Sequence, residues 1–170
     1  MSHLADTLSI AKRLNDELES LGCSRDTSVQ TVPETSHFDD FITEPSLHKK
    51  TERLFKDGHH ARAVEEAYKL LDNIVKKRTG LKDASTGSSL MQKAFSANSP
   101  ILRLNAGTSA SEKDEQLGYM NIFAGCMTGV RNPRAHESDW EDTEHRALQL
   151  LIFANHLIER VTLAKKARKT

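Results

Sequence analysis

The sequence predicts an all-α fold: a helical bundle of four main helices plus a short one, with an N-terminal amphipathic helix. Three observations predict it. Apolar residues recur at three- and four-residue steps through most of the chain, the period of a half-buried helix. Only four Pro and eight Gly punctuate 170 residues, too few for a turn-rich β fold. Hydrophobic residues make up 37% of the chain and aromatics only 5%, so the expected core is aliphatic. There is no internal repeat and no strand-like alternation.

Residues 1–22 are expected to form the amphipathic helix. Leu4, Leu8, Ala11, Leu14, Leu18 and Leu21 follow the helical period, and Gly22 is a natural stop. Leu4, Leu8, Ala11 and Leu18 also fit a heptad seam with Asn15 inward, which leaves a short dimerising coiled coil open beside a helix packed on its own domain. Residues 23–45, with Ser, Thr and Pro among acids, read as a linker or loop that Phe38, Phe41 and Ile42 could dock. Residues 46–170 carry the bundle. A long helix over Leu47–Arg78 is expected to break near Gly58, with Val64, Ala67, Leu71 and Ile74 as its buried stripe. A turn spans Gly80–Gly87, a short helix Leu90–Phe95, and a loop Leu102–Ser109. Ser111 can cap a helix that buries Met120, Phe123, Met127 and Val130 and that Pro133 should stop. The last helix is expected to start near Ser138, whose spacing to Glu141 fits a capping box, and to run to about Ala164.

Lys plus Arg and Asp plus Glu are both 24, so the chain lacks a global basic field for nucleic acid. Any RNA contact must be local. Lys165, Lys166, Arg168 and Lys169 form one such patch, although a basic tail is commonly a solvated end. Two distant cysteines, Cys23 and Cys126, lack metal spacing and read as free thiols of a reducing compartment. No secretory signal is visible. The longest apolar candidate, Ala147–Ile158, is interrupted by Gln149, Asn155 and His156, so no membrane span and a cytoplasmic location are expected.

The stretch that could carry chemistry is Arg131-Asn132-Pro133-Arg134-Ala135-His136. On one unbroken helix Arg131 and His136 point in different directions. A break at Pro133 would let His136 swing back, bringing a permanent cation and a titratable imidazole into one small space. The plainer reading is that both groups complement a helix C-terminus and that Asn132-Pro133 is a stop signal.

An Arg, a polar residue, three more and a His between the last two long helices of a small bundle resembles the signature of the HEPN superfamily. More narrowly, Phe55 to Val161 is similar to the Ymh-type, abortive-infection-like branch of uncharacterised prokaryotic proteins. The residues that carry this are Gly58-His59, Ala63-Val64, Ala67, Leu90-Met91, Ala94-Phe95, Asp114-Glu115-Gln116, Gly118, Gly125, Gly129 and the Arg131–His136 stretch. The resemblance implies a homodimer that cleaves RNA without a metal, in a toxin, phage-defence or RNA-processing setting with an antitoxin or defence-system partner. It implies Arg131 and His136 as catalytic, supported by Asn132. Some toxin-type relatives have a Tyr two residues beyond the His. Ser138 stands there, so the modification of that Tyr is not implied.

That chemistry suits these residues. RNA can be cut by its own 2′-hydroxyl, which needs a base, an acid and stabilisation of charge at phosphorus. An imidazole serves as acid or base near neutrality, and a guanidinium donates to phosphate oxygens. His59 and Arg134 are candidates to bind RNA or support the cleft. His59 and His60 precede Glu65 and Glu66, but no further ligand lies at a metal-binding spacing, so neither metal nor cofactor is expected. The competing reading is a non-catalytic helical module that binds a partner protein or nucleic acid; a third is a small-ligand site at the Arg-His cleft.

Overall fold

In the computed structural model, residues 12, 13, 17, 37–81 and 86–167 are described. The chain divides into two compact units, Met1–Glu34 and Thr35–Thr170. Of the first, Lys12, Arg13 and Glu17 are helical and exposed; the rest of the expected amphipathic helix, and Arg168 and Lys169 of the basic tail, lie outside the described residues.

The second unit is a bundle of α-helices: α1 His37–Phe41, α2 Pro45–Lys56, α3 His60–Thr79, α4 Gly87–Ala94, α5 Ala110–Cys126, α6 Asn132–His136 and α7 Glu144–Leu163. A π-helical turn, Met127–Arg131, joins α5 to α6. Two short strands, β1 Leu102–Arg103 and β2 Lys165–Lys166, pair antiparallel. An all-α bundle is therefore the architecture, with the long helices α2, α3, α5 and α7 as its frame. No helix among the described residues is long and apolar enough to cross a membrane.

Helix α3 is the central element, packing on α2, α4, α6, α7 and the π-turn. Its inward side is Ala63, Val64, Ala67, Tyr68, Leu71 and Val75, all fully buried; Ile74, expected in that stripe, is only partly buried. Gly58 breaks the α2–α3 run as expected. It takes the left-handed φ of 80°, and His59 N–H then bonds back to Leu54 O at 2.8 Å, closing the end of α2. Tyr68 donates to Leu150 O across the core, 3.1 Å away. Asn155 on α7 accepts from Glu44 N–H at 2.8 Å and donates to Thr43 and Glu159, which fixes the start of α2 against α7.

Several boundaries differ from expectation, each for a local reason. Part of the expected linker is helix α1, docked by Phe38 and Ile42, whereas Phe41 faces outward at 51% exposure. The cap of α5 is Ser109, not Ser111, because Glu112 at the third helical position completes a reciprocal capping box with it. The cap of α7 is Thr143, whose hydroxyl takes Arg146 N–H at 3.3 Å; Ser138 instead donates to Asp139. The loop expected over Leu102–Ser109 holds strand β1.

Cys126 is buried in this core. Burial pushes its thiol up to about 11 although a hydrogen bond with Tyr68 pulls the other way, so the reactive thiolate is scarce near neutrality. In a Cys23→Ser variant, Cys126 should therefore resist iodoacetamide in the native state at about pH 8 and react promptly in denaturant. Prompt labelling of the native protein would contradict this packing.

Candidate functional site at the end of the π-bulged helix

Pro133 does not stop its helix. Met127, Arg131 and Asn132 all hold right-handed helical torsions, so the chain is helical from Ala110 to His136. The physical reason is the π-turn. A proline ring meets the carbonyl four residues earlier and lacks an N–H for it. Here Asn132 N–H reaches back five residues to Met127 O, which widens the turn before the ring. Asn132 itself sits at φ −63°, ψ −45°, against the preference of a residue preceding proline. Such single-turn bulges are frequent at functional sites.

Helical continuity separates Arg131 from His136. Five positions on a helix put them about 140° apart. Arg131 is half-buried, and its Nη1 donates to the Asn132 Oδ1, 3.3 Å away. His136 is exposed at the end of α6 and lines a cleft of ≈ 720 Å³ whose walls also hold His59, His60, Glu65, Arg134 and Trp140. Arg131 is absent from those walls. The expected swing of His136 back to Arg131 is thus not what the backbone does. The cleft is lined instead by both His136 and His59.

His59 is exposed and heads α3 without using its side chain as a cap. Among the described residues neither the His59 nor the His136 imidazole has a hydrogen-bond partner, so both are free to meet a ligand. His60 packs edge-on to Phe55, ring centroids 5.1 Å apart. Its Nδ1 and the Trp140 Nε1 are buried without partners, and both side chains line this cleft.

Arg134 is a strut. Its side chain is 2% exposed and that of Asp142 is 0% exposed. Nε and Nη2 donate to the two Asp142 oxygens at 2.6 and 2.7 Å, and Nη1 donates to Val130 O at 2.7 Å. Trp140 lies with Arg134 5.4 Å and Arg146 5.9 Å from its ring centre. The guanidinium's donors thus serve the fold, and Arg134 shapes the cleft wall. Asp142 and Trp140 carried no motif in the sequence, although Trp140 is the chain's single Trp.

The acids beside His59 and His60 are also committed. Glu65 receives Arg62 and Lys69, both at 2.6 Å. Burial pushes the Glu66 carboxyl up, but hydrogen bonds from Lys50 and Lys69 outweigh it and hold it below the usual range. The fixed charges of the cleft wall are Arg62 and Arg134 against Glu65, Glu137, Glu141 and Asp142, a negative balance. Among the described residues one His–carboxylate set is tight enough for a cation, Asp39, His48 and Glu52. The Lys56 ammonium already sits there, 3.1 Å from Asp39 Oδ2 and 2.8 Å from Glu52 Oε1.

Comparison with known proteins gives one family: a model described as a protein of unknown function (Hypoth_ymh) matches residues 42–161. No curated protein and no solved structure matches.

The buried pair generates a stability prediction. Asp142→Ala should destabilise the fold by about 3–5 kcal/mol in urea titration, because it strands a buried guanidinium. The double replacement Arg134→Met with Asp142→Leu should recover most of that loss. Equal, small effects of both would contradict the strut.

Proposed function

The chain belongs to the Hypoth_ymh family of proteins of unknown function, and we propose that it is a metal-independent endoribonuclease of HEPN type, acting as a homodimer in a prokaryotic defence or toxin system. The observation that carries this reading is a cleft lined by both His136 and His59, each exposed and, among the described residues, without a side-chain partner. Transesterification by the 2′-hydroxyl needs one group to take its proton and another to protonate the leaving 5′-oxygen. Two imidazoles in one cleft supply both, one as base and one as acid, and they exchange states over the step. Loss of a proton from one and gain by the other leaves the cleft's total charge unchanged.

Arg131 is the group that meets charge developing at phosphorus, a donor role that can contribute about 3–4 kcal/mol, and Asn132 holds its guanidinium. Since the helix turns Arg131 away from the His136 of its own chain, the arginine in this reading serves the cleft of a second copy. The proposed mechanism therefore requires a dimer. An antitoxin or other defence-system protein would act by covering this cleft.

A non-catalytic interaction module is the second reading. Leu117 and Ile122 on α5 stay 42% and 39% exposed, and nothing stands within 4 Å of a Cβ built on Gly118, Gly125 or Gly129, so one side of that helix is open to another chain.

In EDTA, wild type should cleave a mixed RNA pool and His136→Ala should not, with helicity and oligomeric state unchanged. Full activity in His136→Ala would remove the proposal. Mixing Arg131→Ala with His136→Ala should restore cleavage that neither has alone, because each mixed dimer keeps one intact pairing. Failure of subunit-exchanged mixtures to recover would place both groups in one chain's site.

A further inference from the structure

A second concavity, of ≈ 390 Å³, lies between the 97–107 loop and the start of α5, with Asn98, Arg103, Asn105, Gly107 and Lys113 in its walls. Its lining holds two cations and no carboxylate. Neither the Arg103 nor the Lys113 side chain is hydrogen-bonded or ion-paired among the described residues. That is unlike Arg62, Lys69, Arg134 and Arg160, each held by a carboxylate. Two of the three acids on the adjoining turns of α5 are engaged, and the third, Asp114, is exposed. Glu112 is bound to the cap at Thr108 and Ser109, and Glu115 takes Arg160 and Asn105.

The strand pair adds to this charge. The antiparallel register sets Lys165 opposite Arg103 and Lys166 opposite Leu102. Like charges directly opposite on such a pair oppose the pairing, yet the fold fastens it from both sides. Ala167 N–H bonds to Ile101 O at 2.9 Å, and Arg78 donates to Thr162 O and Ala164 O just before β2. Gln116, buried beneath, accepts from Leu104 N–H and donates to Leu102 O. Arg103 also folds over the turn at Gly107, its Nη1 4.0 Å from where a Cβ would stand. Lys165 and Lys166 are exposed and, like Arg103 and Lys113, without a side-chain partner among the described residues. In a chain of zero net charge, Arg103 and Lys165 thus share one face of the strand pair, beside the concavity that Lys113 also lines, whereas Lys166 alternates to the face of Leu102.

We propose that Arg103, Lys113 and Lys165 bind the phosphate backbone of single-stranded RNA, at a site separate from the histidine cleft. The choice of RNA rests on the cleavage reading; the site shares no residue with that cleft. A flexible strand can follow a concave, polar wall, whereas a bilayer surface is flat, and Ala97 and Pro100 are the apolar lining beside these cations. Backbone phosphates need only cations at roughly fixed spacing and carry no sequence requirement.

The test uses the full chain and a fluorescent 2′-O-methyl single strand of mixed sequence, which binds but lacks the nucleophile for cleavage. Anisotropy titrations across a salt series should show roughly tenfold weaker binding and a shallower salt dependence for Arg103→Glu with Lys113→Glu. Arg103→Gln with Lys113→Gln should fall between, guarding against a folding defect. Unchanged affinity and salt slope in both variants, or no binding by wild type, would overturn the proposal; so would charge-dependent binding to phosphatidylserine vesicles without binding to the strand. Cleavage of ordinary RNA in EDTA judges the catalytic reading by itself. Binding lost on charge reversal with no cleavage by wild type upholds this site and removes the other, and cleavage with binding unmoved removes this site alone.

Discussion

The buried Arg134–Asp142 pair is the constraint on which the rest of the candidate site depends. It joins α6 to the 137–143 loop, and that loop delivers Trp140 to the cleft and the Thr143 cap to α7. With the charges withdrawn from water, the pair's attraction is offset by desolvation, and its net stabilisation is small compared with an apolar replacement. Its effect is on geometry. A planar fork meeting both oxygens at 2.6 and 2.7 Å permits one orientation of the loop, and the third bond, to Val130 O, ties that orientation to the π-turn. Removing either partner leaves a charge that burial makes costly, so the loop and the helix end are fixed together or lost together.

This strut shares its work with α3. The helix is buried along Ala63, Ala67 and Leu71 and has His59 as its N-cap residue, so the packing that holds the bundle also sets one wall of the cleft. The other wall is the α6 end that Arg134 holds. Two exposed imidazoles therefore line a common cleft because one stands at the N-cap position of the central helix α3 and the other ends the helix that Arg134 anchors. Movement of either wall would cost core packing or a buried ion pair.

The helices were legible in the sequence because their signal is periodic and repeated. The stripe through Val64, Ala67 and Leu71, and the break at Gly58, needed only spacing and one glycine's freedom. Caps were less legible, since Ser109, Ser111, Ser138 and Thr143 all carry a capping oxygen and reciprocity with the third helical residue or the position of a tertiary strut decides among them. The continuation through Pro133 was not legible at all. Proline ordinarily ends a helix, and the π-turn that admits it has no residue signature. That one turn shapes the candidate site: the helix runs on, Arg131 and His136 point apart, and His136 lines the cleft that His59 also lines. The importance of Asp142 and Trp140 was hidden for another reason, because a pair eight residues apart forms only once the loop folds back.

Two distinct arrangements result, a histidine cleft of negative fixed charge and a cationic edge built on the β1–β2 pair. Their division of labour is chemical: one would hold phosphates and the other would move protons. The central claim is that the imidazoles direct attack by the substrate's own 2′-hydroxyl. Mass spectrometry of the RNA 3′ ends formed in EDTA tests it most directly. The account predicts 2′,3′-cyclic phosphate on the 3′ ends; 3′-hydroxyl ends with 5′-phosphates would mean that water, activated in some other way, is the nucleophile, and would contradict it.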